Sequence, residues 1–201
     1  MINNSTTDTN SLPLGEMSEG QRGNLYNYIL GIADNSLILG QRLGELCGHG
    51  PSLETDIAET NISLDLFGQV RSYFQYAAQM SGDDAATEDT IAFLRLERHY
   101  KNVLLVEQPN TDFGYVIARQ FLFDVYHYMF LTELQSSKDE TLAAIAKKSI
   151  KEVSYHVRFS SDWIKRLGDG TEESYERIQN AINDLWTYTD ELFHQTEADK
   201  V

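Results

Sequence analysis

Proline occurs only at Pro13, Pro51 and Pro109, and from Asn110 to the end there is no other. A proline inside a helix removes a backbone hydrogen bond and clashes with the preceding turn, so its scarcity leaves long stretches free to be helical. Within them apolar residues recur three or four apart, the spacing of one helix face. Leu25, Tyr28, Ile29, Ile32, Leu39, Leu43 and Leu46 predict a first helix over 22–47, ended by Gly48-His-Gly-Pro51. Ser52 is placed to cap a second helix over 53–80, with Glu54 and Asp56 in its first turn. A shorter helical stretch is expected over 87–107. Thr111 or Asp112 caps a third long helix to about 135, and a fourth spans about 140–167. Thr171 caps the last, expected to reach about 196. No segment alternates apolar and polar residues as a half-buried strand does. The chain therefore reads as all-α, an antiparallel bundle of long helices with a short extra helix.

A chain of 201 residues suits one domain, large enough to bury about 70% of its unfolded surface in one core. The first twenty residues are polar and rich in Ser, Thr and Asn, and are expected to be a disordered tail before a bundle domain at 21–201. A net charge of −15 repels phosphate backbones and anionic lipid, so neither nucleic acid nor membrane is an expected partner. No apolar run reaches membrane-spanning length. The single cysteine, Cys47, can form no internal disulfide, which points to the cytoplasm.

Chemistry in a helical bundle is sought where carboxylates and histidines share an inward face. A ferritin-like di-iron site takes a Glu from each of two helices and a Glu-x-x-His from each of two others. Here the second helix contains no histidine, so that arrangement cannot be completed. What remains is Asp124 and His127 on the third helix and Glu152 and His156 on the fourth. Asp124 falls in the stripe Ile117, Phe121, Asp124, Tyr128, Leu131, and a carboxylate in such a seam needs a partner or becomes neutral. Arg42 or His156 is the expected partner. Two readings stand at this point. In one, these side chains are satisfied core groups that fix helix register. In the other, Asp124, His127, Glu152 and His156 form a partial di-iron or di-manganese site.

Three stretches carry a further signal: DNSLILGQRLGELCGHGPSLETDIAETNISLDLFGQVRSYFQYAAQ (34–79), LLVEQPNTDFGYVIARQFLFDVYHYMF (104–130) and IKEVSYHVRFSSDWIKRLGDGT (150–171), with INDLW at 182–186. In register over about 26–193, they resemble the PaaC family, the structural C subunits of bacterial phenylacetyl-CoA epoxidase. This multicomponent monooxygenase is the ring 1,2-epoxidase of phenylacetate breakdown. The resemblance implies a ferritin-like fold and a tight complex with a paralogous, catalytic A subunit that carries the di-iron centre, alongside other subunits in a hetero-oligomer. It also implies no catalysis and no cofactor in this chain, the reaction with O2 being the partner's. Against the A-subunit pattern, His156 keeps the histidine position while the ligand glutamate three residues earlier is Val153. Glu152 is its non-ligand neighbour, turned about 100° round the helix. The second-helix Glu and His positions fall on Phe67 and Val70, the first-helix Glu on Leu37, and Asp124 on the third-helix carboxylate. Only Asp124 and His156 keep liganding chemistry. Members of the family usually continue some way beyond the point where this sequence stops.

Overall fold

The structure is a computed structural model that describes residues 17–196 and residue 198. The described residues form seven α-helices and three short 3-10 segments, with no strand among them. The four long helices are α1 (Glu19–Gly44), α2 (Leu53–Met80), α5 (Phe113–Leu134) and α6 (Glu140–Gly168). The short α3 (Glu88–Phe93) and α4 (Leu104–Glu107) lie between the two pairs, and α7 (Glu172–Leu185) follows α6. No helix among them is long and apolar enough to cross a membrane. Of the tail expected at 1–20, residues 1–16 lie outside the described residues, and α1 already begins at Glu19.

Local side-chain chemistry sets most helix starts. Ser18 and Gln21 form a reciprocal capping box on α1. Ser52, Asp112, Asp139 and Thr171 accept the amides of Thr55, Tyr115, Leu142 and Ser174, satisfying donors that a helix leaves free in its first turn. α1 ends at Gly44, earlier than its periodicity predicts, and the chain turns through Gly48 at φ +87. The Asp56 carboxylate gathers the Gly48 and Gly50 amides, which hold its pKa below the usual range.

The chain packs as two antiparallel pairs. In the first, the Ser63 hydroxyl of α2 donates to the Gly40 carbonyl of α1. Gly40 lies so close to Phe67 that an added Cβ would stand 3.0 Å from the ring. In the second pair α5 meets α6, with the Phe113 and Trp163 rings edge to face, centroids 4.8 Å apart. The pairs join where α2 runs antiparallel to α6, through Gln69 with Glu152 and Tyr76 with Asp139. The core is built from two apolar clusters. One holds Leu30, Leu37, Val70, Tyr73, Leu131, Ala146 and Val153. The other holds Leu39, Leu43, Ile62, Leu66, Ile117, Phe123 and Leu185.

The expected helical stretch over 87–107 is broken into α3, a 3-10 turn at Glu97–His99, and α4. The cause lies 61 or more residues away on α1. Buried Asp34 binds the Arg95 guanidinium and the Lys101 amide, and Asn35 accepts the Val103 amide. Those amides serve a distant side chain, so no helical bond forms there. The last helix likewise stops at Leu185, short of 196, and continues as two 3-10 turns. There Thr187 and Thr189 turn their hydroxyls back onto the Asp184 and Trp186 carbonyls, a local bond that competes with helix propagation.

Candidate functional site

Where the two apolar clusters meet, each long helix contributes a different mixture of side chains. α1 offers Leu37, and α2 offers Asp65, Phe67, Gln69 and Val70. From α5 come Gln120, Asp124 and His127, and from α6 come Glu152, Val153, His156 and Ser160. Leu37, Val70 and Val153 are buried in one hydrocarbon cluster, with Phe67 packed against it. Asp124, His127, His156 and Ser160 are buried as well, with His156 and Ser160 one and two turns beyond Val153 on α6. The site is a polar seam set against an apolar plug.

Asp124 does not have the partner expected from sequence. Arg42 lies outside the core, bonded to Glu45 and to the Glu107 carbonyl. His156 spends its Nε2 on Asp65, 3.1 Å away. Gln120 Nε2, one turn earlier on α5, donates to Asp124 Oδ1 at 2.6 Å, and the Ser160 hydroxyl of α6 donates to Oδ2 at 2.8 Å. Ser160 also reaches back to the His156 carbonyl. These neutral donors do not offset loss of water, so burial drives the Asp124 pKa up to about 7, against the opposing pull of His156, Ser160 and Gln120.

His127 is the second buried group of the seam. Neither ring nitrogen has a hydrogen-bond partner among the described residues, and its ring lies 5.2 Å from that of Phe123. Burial first, and then His156, push its pKa down to about 3, so the imidazole is neutral. The ring also forms part of the wall of a cleft of about 430 Å³ on the α1–α5 side, beside Tyr28, Ile32, Tyr126 and Phe130. Glu152 faces α2, where Gln69 Nε2 donates to its carboxylate at 3.0 Å, while neighbouring Val153 is fully enclosed.

A further buried group lies about two to three turns earlier on α2. Glu59 of α2 is buried with neither carboxylate oxygen hydrogen-bonded among the described residues, and its pKa is raised to about 7, by burial and then by Asp56, against the pull of Arg119. Arg119 of α5 is itself buried and gives its terminal nitrogens to the Gln108 carbonyl and Asn110. Sequence reasoning passed over Glu59, Gln69, Gln120 and Ser160. The signal was present in part: Glu59 continues the helical stripe Thr55, Ile62, Leu66, and Gln120 sits four residues before Asp124.

The donor set does not fit a di-iron centre. Asp124, His127, Glu152 and His156 do not assemble into a metal-holding cluster, and no three His, Cys, Asp or Glu side chains do so among the described residues. Asp124 is bonded to Gln120 and Ser160, His156 to Asp65, and Glu152 to Gln69. Leu37, Phe67, Val70 and Val153 are hydrocarbon and offer no oxygen or nitrogen ligand to a metal. No step through a metal is assigned to this chain.

This all-α bundle, with Asp124 and His156 buried and bonded to different partners, is one member of a recognised group of catabolic proteins. The chain belongs to the phenylacetic acid catabolic protein family, whose model matches residues 12–201. Within that family it is similar to the C subunit of the 1,2-phenylacetyl-CoA epoxidase of Escherichia coli (strain K12). The two are 52% identical over 172 residues, covering 86% of this chain and 68% of that protein.

Proposed function

We propose that this chain is a non-catalytic structural subunit of a phenylacetyl-CoA ring-epoxidising monooxygenase, pairing with and stabilising the di-iron subunit that performs the reaction. The observation that carries the reading is the apolar packing of Leu37, Phe67, Val70 and Val153, the positions that the resemblance assigns to metal ligands in the catalytic subunit. A bundle that keeps its helices, fills its metal cavity with hydrocarbon and retains a neutralised polar seam has kept the shape of an oxygenase without its reactive centre. The likeness to an epoxidase subunit supports the assignment of the complex. The lone, exposed Cys47 suits a cytoplasmic setting.

In this reading the chain works by burying a large helix–helix interface, which for obligate partners exceeds about 2,000 Å². The test is to express the catalytic A subunit of such an epoxidase alone and together with this chain. Co-expression is expected to yield a stable hetero-oligomer that turns over phenylacetyl-CoA with its reductase, while this chain alone turns over none. Full activity of the A subunit without this chain, or failure of the two to associate, contradicts the proposal.

A further inference from the structure

The outer face of α6 toward its C-terminal end alternates aromatic rings with guanidinium groups. Arg158 stacks over Tyr155, 5.5 Å from guanidinium carbon to ring centroid, and Arg166 over Trp163 at 5.3 Å. Stacking holds each planar fork in place, so less freedom is lost when it meets a carboxylate. Among the described residues neither guanidinium has a carboxylate within 4.0 Å, although five other basic side chains and His156 do. Asp162 beside them is engaged by Lys165, and Glu54 lies across the pocket on α2.

On α2 the same pocket is walled by Glu54 and Thr55, and along that helix Leu53, Ile57 and Leu64 are 71%, 52% and 60% exposed. Their spacings of four and seven put them on one stripe, directed away from core residues Ile62 and Leu66. Two independent features therefore flank the pocket on adjoining helices: an exposed apolar stripe that starts beside Glu54 and Thr55, and a pair of stacked arginines without a carboxylate among the described residues. Tryptophan, tyrosine and arginine are the residues that dominate binding energy in protein interfaces. The pocket they line holds only about 240 Å³, below the range of small-molecule sites, so a protein surface is the better occupant. Charge decides which kind. In a chain of net charge −15, unpaired guanidiniums exposed on one face call for carboxylates from outside.

We propose that this α2–α6 face, centred on Leu53, Ile57, Tyr155, Arg158, Trp163 and Arg166, is where the catalytic di-iron subunit docks, through a helix carrying apolar residues and two carboxylates. The assignment rests on the pairing proposed above and names its surface. Arg158 and Arg166 are eight residues apart on one helix, about 12 Å along its axis, so the partner's carboxylates are spaced about two turns apart.

The test measures affinity for the purified catalytic subunit by titration calorimetry, using Arg158→Glu/Arg166→Glu, Leu53→Asp/Ile57→Asp and, as control, Arg98→Glu/Lys101→Glu on the α3–α4 connection. All six positions are exposed, and circular dichroism verifies that each variant is folded. The first two variants are expected to bind about tenfold more weakly or worse, the control within about twofold of the parent. If the parent binds and both α2–α6 variants bind equally well, the docking surface lies elsewhere while the pairing stands. If the parent itself does not bind, the pairing fails and this assignment falls with it. Self-association of the chain that is abolished by Arg158→Glu/Arg166→Glu would identify a second copy, not the catalytic subunit, as occupant and overturn the proposal.

Discussion

Replacing Asp124 with asparagine should change how stability depends on pH far more than it changes the fold. Asp124 sits fully enclosed between Gln120 and Ser160, with a folded-state pKa of about 7 against roughly 3.9 in an unfolded chain. Because folding raises this pKa, the unfolded chain binds fewer protons between the two values. The stabilisation is fully present below about pH 4 and is lost as pH rises through about 7. At about 1.36 kcal/mol per unit, a full shift of about three units corresponds to about 4 kcal/mol, of which about 2–3 kcal/mol falls between pH 5 and pH 8. Glu59 acts in the same direction, and His127, whose pKa is lowered, acts in the opposite one, gaining stability as pH rises from about 3 to 6.5. Both are retained in the variant and cancel in the comparison. The asparagine is nearly isosteric: its carbonyl can accept from Ser160, and Gln120 has an unpaired Oε1 that can turn to accept its amide. Urea unfolding of both proteins at pH 5, 6, 7 and 8 should show the variant gaining about 2–3 kcal/mol on the parent from pH 5 to pH 8. A difference that stays within about 0.5 kcal/mol across that range would refute the buried, neutralised carboxylate, because it would mean Asp124 titrates as a surface group does.

Two further substitutions probe the apolar plug and the crossover from α2 to α5, the segment that holds α3 and α4. Val153→Glu places a carboxylate inside hydrocarbon at a position proposed to have lost a ligand, and should destabilise the fold by about 3 kcal/mol or more in urea titrations without recruiting iron. Iron bound at one or more equivalents in that variant would show that the cavity is still organised for metal. Asp34→Ala strands the Arg95 guanidinium and frees the Lys101 amide, so stability should fall by about 3–5 kcal/mol, with amide exchange rising first over 95–103. Unchanged protection there would mean that Asp34 does not anchor the crossover.

The long helices were legible in the sequence because their causes are local. Ser52, Asp112 and Thr171 cap the residues just after them, and an apolar stripe repeats within its own helix. The crossover was not legible, because the bonds that break its helix run from Asp34 and Asn35 to residues more than sixty positions on. The same division holds at the site. The need of Asp124 for partners could be read from its place in a buried seam. Their identity could not, since Ser160 is supplied by another helix and a glutamine one turn away looks no different from one on the surface. Arg42 was the stronger donor by charge, yet it lies outside the core, where the Glu107 carbonyl and Glu45 take its guanidinium. Glu59 shows the converse failure, a carboxylate in an apolar stripe whose burial was hidden by its ordinary helix-forming character.

The central claim is that the interior of this bundle has exchanged metal-ligand chemistry for packing. Elemental analysis of the purified chain, loaded anaerobically with ferrous iron, passed through a desalting column and then exposed to O2, tests it most directly. The account predicts iron far below one equivalent per chain and no di-ferric absorption band. Two irons per chain with that band would contradict it.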